Sequence, residues 1–153
     1  MKDLYANGRF ALSFEVFPPK TPQGLEPLYR AIGELAAWRP GFISCTYGAG
    51  GATRDQTIEI STTIRSRFGL AATAHFTCVG STLADMRAWL ARAAECNIEN
   101  IMALRGDPPQ GQTAFTPVAG GLAHANELVA LIRGEFPEFG IGVAGYPETH
   151  QEA

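Results

Sequence analysis

Short apolar runs recur along this chain at a near-constant interval. Ala11–Phe17, Phe42–Thr46, Ala71–Thr77, Ile101–Leu104 and Ile141–Gly145 read as strands. Their starts lie roughly 30 to 40 residues apart, the length of one strand plus a crossover helix. Pro18-Pro19 closes the first run and Gly48 ends the second. That repeat restricts the chain to folds built from alternating β and α units.

The intervals carry helical period. Leu25, Leu28, Ile32, Leu35 and Ala36 follow the i, i+3, i+4, i+7 pattern of one helix face. Thr53 with Gln56 reads as a capping box opening a second helix. Thr57, Ile60, Ile64 and Phe68 form its stripe, and Gly69 suits its stop. Thr82 with Asp85 opens a third helix through Met86, Leu90 and Ala93, with Asn97 near its end. A fourth, Leu122–Glu135, carries Leu128, Val129 and Ile132.

Alternating units of this kind imply a parallel sheet covered by helices. Two architectures satisfy the pattern: an open doubly wound sheet, or part of a (β/α)8 barrel. In both, chemistry gathers where strands end and helices begin. The longest irregular stretch, Arg105–Gly121, has the length of a binding loop.

Composition removes several classes of function. With 12 Lys+Arg against 15 Asp+Glu and a net charge of −3, the chain has no basic excess for phosphate backbones, so no nucleic-acid partner is expected. No apolar run approaches the ~20 residues of a membrane span. Met1-Lys2-Asp3-Leu4-Tyr5 lacks the apolar core of a secretory signal. Cys45, Cys78 and Cys96 form no C-x-x-C pair, so neither a disulfide framework nor a metal site is expected, and a cytoplasmic location fits best.

The strand ends hold the candidate chemistry. Glu15 sits in Leu12-Ser13-Phe14-Glu15-Val16-Phe17, where apolar neighbours are expected to desolvate it. A desolvated carboxyl keeps its proton to higher pH and can act as a general acid. The structural alternative is a Glu facing an Arg or Lys at the strand end. Arg105-Gly106-Asp107 follows the fourth strand: a guanidinium fork for phosphate or a carbonyl-rich ring, a glycine that admits ligand to backbone, and a carboxylate that accepts from ring N–H groups. The alternative is an Arg–Asp pair closing a proline-rich turn.

Gly48-Ala49-Gly50-Gly51-Ala52-Thr53 resembles a phosphate-binding turn. A dinucleotide fingerprint would need Gly or Ala where Thr53 stands, and would follow the first strand rather than the second. His75 and His150 fall at strand ends, without the carboxylate-backed geometry of a metal site. His124 begins a helix and reads as a surface residue. Cys45 and Cys78 lack a local base, which leaves nucleophilic catalysis a minor option. Trp38 and Trp89 read as helix packing.

Taken in order, the rim segments resemble the methylenetetrahydrofolate reductase family. The matching runs are Ser13–Lys20 (SFEVFPPK), Thr46–Gly51 (TYGAGG), Thr53-Arg54-Asp55, Ala74–Cys78 (AHFTC), Ala103–Pro109 (ALRGDPP) and Gly145–His150 (GYPETH). The resemblance covers nearly the whole chain. It implies a parallel (β/α)8 TIM-type barrel with non-covalent FAD at the C-terminal rim. Hydride passes from NADH or NADPH to flavin N5. After the nicotinamide leaves, 5,10-methylenetetrahydrofolate takes its place and is reduced to the 5-methyl form, which feeds methionine synthesis.

By the resemblance, Glu15 matches the general acid that assists opening of the folate's five-membered ring to a 5-iminium cation. Asp107 matches the acid beside the flavin pyrimidine and the pterin. Thr46, His75, Arg105, Gly106, Ala125, Tyr146 and His150 match flavin-contacting positions. A full barrel needs eight strands and about 250 residues. Five strands and four helices are visible here, so residues 1–153 are expected to be the N-terminal part of one catalytic domain. The raw sheet edges of such a part admit a homo-oligomer. Two rival functions remain: a non-catalytic barrel fragment acting as a binding or assembly module, and a nicotinamide-dependent dehydrogenase on an open sheet.

Overall fold

In the computed structural model, residues 4, 10–48, 53–108, 111 and 114–148 are described. Five strands and four α-helices alternate. They are β1 (Ser13–Val16), α1 (Leu25–Ala36), β2 (Phe42–Cys45), α2 (Arg54–Phe68), β3 (Ala72–Thr77), α3 (Leu83–Glu95), β4 (Asn100–Leu104), α4 (Ala125–Glu135) and β5 (Gly140–Val143). All neighbouring strands pair in parallel, in the order β1-β2-β3-β4-β5.

That order decides between the two architectures. A doubly wound sheet reverses its strand order at a switch point, so its helices cover both faces. Here the order never reverses. Right-handed crossovers progressing in one direction place every helix on one face, as a TIM-type barrel requires.

Register separates the two faces. Val16, Cys45, Ala74, Ile101 and Ile141 lie side by side, as do Phe14, Ile43 and Ala72. These rows pack under the helices. One core joins Val16, Ile43, Cys45 and Ala72 to Ile32, Ile60 and Ile64. A second joins Ala74, Phe76, Ile101 and Ala103 to Met86, Leu90, Leu128 and Ile132. The opposite face carries the row Glu15, Ser44, Thr73, Asn100 and Gly140, with His75 and Met102 side by side in the next.

The helix signals meet mixed outcomes. Thr82 and Asp85 form the expected capping box at α3. Gly69 ends α2 with φ 65°, and Asn97 follows α3 with φ 58°. Thr53 does not cap α2 through its side chain; its Oγ1 instead accepts from the Gly48 N–H at 2.7 Å. The fourth helix starts at Ala125 rather than Leu122. There the Glu127 carboxylate accepts from the backbone N–H groups of Ala123 and His124.

Trp89 is buried and stacks on Phe76, with centroids 4.1 Å apart. Trp38, expected to pack, is 72% exposed. It lies beyond the last turn of α1, where the helical stripe no longer turns a side chain inward. Among the described residues, no helix is long and apolar enough to cross a membrane.

Candidate active site

The five strands contain only three ionisable side chains: Glu15, Cys45 and His75. Cys45 belongs to the helix-facing row and is fully buried. Burial, reinforced by the Glu15 charge, pushes its thiol up to about 12. Glu15 and His75 occupy the other face and meet there. Glu15 Oε2 lies 3.3 Å from His75 Nε2 and accepts from Ser44 Oγ at 3.4 Å. No hydrogen bond closes this approach, and Nε2 is buried without a hydrogen-bond partner. Burial lowers the pKa of His75, and the Glu15 charge opposes that shift.

The expected desolvation of Glu15 by its chain neighbours does not occur. Its side chain is 48% exposed. Successive side chains on a strand point to opposite faces. Phe14 and Val16 therefore join the helix-side core while Glu15 faces away from it. What Glu15 meets comes from β2 and β3.

A second group of side chains surrounds a cleft of about 500 Å3 between the ends of β4 and β5 and the start of α4. Arg105, Gly106, Asp107, Ala125 and Tyr146 all line it, together with His124. The Arg105 guanidinium lies over the Phe115 ring, 5.1 Å from its centroid. The Cys78 N–H donates to the Arg105 carbonyl at 3.1 Å, which ties the cleft to the end of β3. Cys78 itself is buried, and burial pushes its thiol up to about 11. Neither Cys45 nor Cys78 has the lowered pKa of a nucleophilic thiol.

Thr46 follows β2 at the same end of the sheet, where its carbonyl accepts from Thr57 Oγ1 at 3.0 Å. His150 and residues 49–52 of the glycine-rich turn lie outside the described residues. A larger hollow, about 610 Å3, opens at the far end of the strands beside Arg65, Asn97 and Glu99. Its Arg65 is bound to Glu99 at 3.0 Å. The strand C-terminal end, and not cavity size, therefore selects the site.

Ser44, Thr57 and Phe115 also contribute, and none of them stands out as a site residue in the sequence, where Thr57 reads only as part of the α2 stripe. The signal for Ser44 is a hydroxyl alternating with the apolar Ile43 and Cys45; only the register sets it beside Glu15. Thr57 and Phe115 reach Thr46 and Arg105 from a helix and a loop, with no local signal of either contact.

The sequence model of one family, described as methylenetetrahydrofolate reductase, matches residues 1–153. The chain belongs to the methylenetetrahydrofolate reductase family. A probable methylenetetrahydrofolate reductase (NADH) of Oryza sativa subsp. japonica is 42% identical over 154 residues, covering 100% of this chain and 26% of that protein. Methylenetetrahydrofolate reductase (NADH) 1 of Zea mays is 43% identical, covering 96% of this chain and 25% of that protein. The 5,10-methylenetetrahydrofolate reductase of Escherichia coli (strain K12) is 38% identical, covering 95% of this chain and 47% of that protein. The chain thus spans about a quarter of its plant relatives and about half of its bacterial one. Its five parallel strands are part of the TIM-type barrel of the methylenetetrahydrofolate reductase family.

Proposed function

We propose that the protein carrying this chain reduces 5,10-methylenetetrahydrofolate to 5-methyltetrahydrofolate in the cytoplasm, with FAD as cofactor and NADH or NADPH as hydride donor. The carrying observation is the placement of Glu15. Among the described residues it is the only carboxyl on a strand, and it lies on the face turned away from the helix-side core. NADH is the donor named for the plant relatives.

The residues present fit FAD. The cleft has the size of a cofactor site. Arg105 offers donors suited to phosphate or ring carbonyls, Gly106 leaves backbone approachable, and Tyr146 presents a 60% exposed ring. His75 adds a ring near the C-terminal end of β3, its side chain 12% exposed. Thr46, His75, Arg105, Gly106, Asp107, Ala125, Tyr146 and His150 would hold the cofactor. Bound there, FAD would supply the two-electron step, taking hydride from the nicotinamide and passing it to the folate in a ping-pong exchange.

The chain's own residues would handle protons and charge. Glu15 would give its proton to the folate nitrogen that leaves as the five-membered ring opens. That carbon–nitrogen bond breaks, and positive charge develops on the remaining iminium. The Asp107 carboxylate would stabilise that cation. Ser44, by donating to Glu15, would steady the carboxylate left behind.

Measuring the two half-reactions separately on the full-length protein tests this reading. Glu15→Gln keeps the side chain's shape and removes its proton. Nicotinamide oxidation by an artificial acceptor should persist, while folate reduction should fall by about 10²-fold or more. Equal loss in both would make Glu15 structural. Purified protein with no flavin absorption after reconstitution would remove FAD from the scheme.

A further inference from the structure

We propose that Glu15 and His75 hold one labile proton between them, so that the acid of this site is the pair and His75 is the positioning residue of Glu15. The imidazole faces few ionisable groups on the strands. From β1 it meets the Glu15 carboxyl at 3.3 Å. β2 brings only the Cys45 thiol, on the other face and kept neutral by burial. β3 has no other ionisable group, and β4 and β5 have none. His75 Nε2 is buried, lacks a hydrogen-bond partner, and has the Glu15 oxygen as its near polar neighbour.

An isolated ion pair at this place would be costly for the imidazole, whose side chain is only 12% exposed. A neutral imidazole with a free Nε2 lone pair is instead an acceptor. The proton partner within reach is Glu15 Oε2–H. In one arrangement the proton sits on Oε2 and points to Nε2. In the other it sits on Nε2 and faces a carboxylate. Both carry no net charge, so the proton can move without charging the sheet face. When Glu15 delivers its proton, the O–H bond breaks and a carboxylate faces neutral imidazole. One proton taken up from water restores the pair. Such sites titrate together rather than singly.

The part this plays in turnover rests on the reading of Glu15 given above, whereas the pairing itself does not. Two measurements separate them. The chain has three histidines, so ring-nitrogen NMR of the full-length protein resolves each one. Glu15→Gln should lower the His75 midpoint by removing the anion that favours imidazolium, and should leave His124 in place. Should Glu15→Gln not fold, Glu15→Asp withdraws the carboxylate by one methylene and should lower the same midpoint by less.

An unmoved His75 midpoint in a folded variant overturns the pair. In the second measurement, His75→Gln should displace the pH profile of folate reduction, whereas loss of rate at every pH with the profile unmoved overturns the pair. A moved midpoint with folate reduction intact in Glu15→Gln would uphold the pair and overturn the proposed reaction. An unmoved midpoint with folate reduction lost would overturn the pair alone.

Discussion

At Gly106 the backbone carries φ 87°, and an added Cβ would lie 2.8 Å from Val79 Cγ2 and 3.0 Å from Thr77 Cβ. Two independent constraints therefore select glycine where β4 turns into the cleft: a left-handed backbone and close approach to β3. Gly106→Ala should destabilise the protein by about 1–3 kcal/mol in urea unfolding. Adding Val79→Ala should recover at most the Val79 part of the clash, since the Thr77 contact and the backbone strain stay. Full recovery in the double variant would show that φ contributes nothing. The same scale governs Glu15, whose neighbours in the chain are not its neighbours in space.

Among elements, adjacent helices are joined by arginine–carboxylate contacts. Arg67 on α2 approaches Glu26 on α1 at 3.9 Å, Arg92 on α3 meets Asp55 on α2, and Arg87 on α3 grips Glu135 on α4 with both carboxylate oxygens. These exposed pairs orient neighbours more than they stabilise them. The capping box of α3 contributes more directly. Thr82→Ala should cost about 1 kcal/mol.

That box also has a pH signature. Bonds from the Thr82 hydroxyl and backbone N–H hold the Asp85 carboxyl below its ordinary value. Its contribution is therefore complete above the ordinary carboxylate value and disappears as pH falls through the lowered one. Urea midpoints followed into acid should show this loss, and Asp85→Asn should flatten that part of the curve. A variant curve parallel to the parent throughout would assign the acid sensitivity to other groups.

Over the whole molecule, β1 and β5 form the two edges of the sheet, and Val143 on β5 is 60% exposed. Unpaired strand edges template further pairing. The isolated 153-residue polypeptide should therefore self-associate as concentration rises, measured by light scattering after size exclusion. Val143→Lys should weaken that association. A monomer at every concentration would mean that the edges are protected in solution.

The sequence by itself determined the five strands and four helices in alternation, the parallel sheet, most helix starts and stops, and the strand ends as the place for chemistry. Period and turn residues are local properties, and they survive without knowledge of contacts. Tertiary structure alone decided the rest. Strand order eliminated the doubly wound sheet, because winding direction is written in pairing and not in spacing. Register set Glu15 level with Ser44 and one row from His75, which stand 29 and 60 positions along the chain, while packing left Trp38 outside. Such contacts depend on which residues share a face and a level across strands. No local pattern in a single chain encodes that placement.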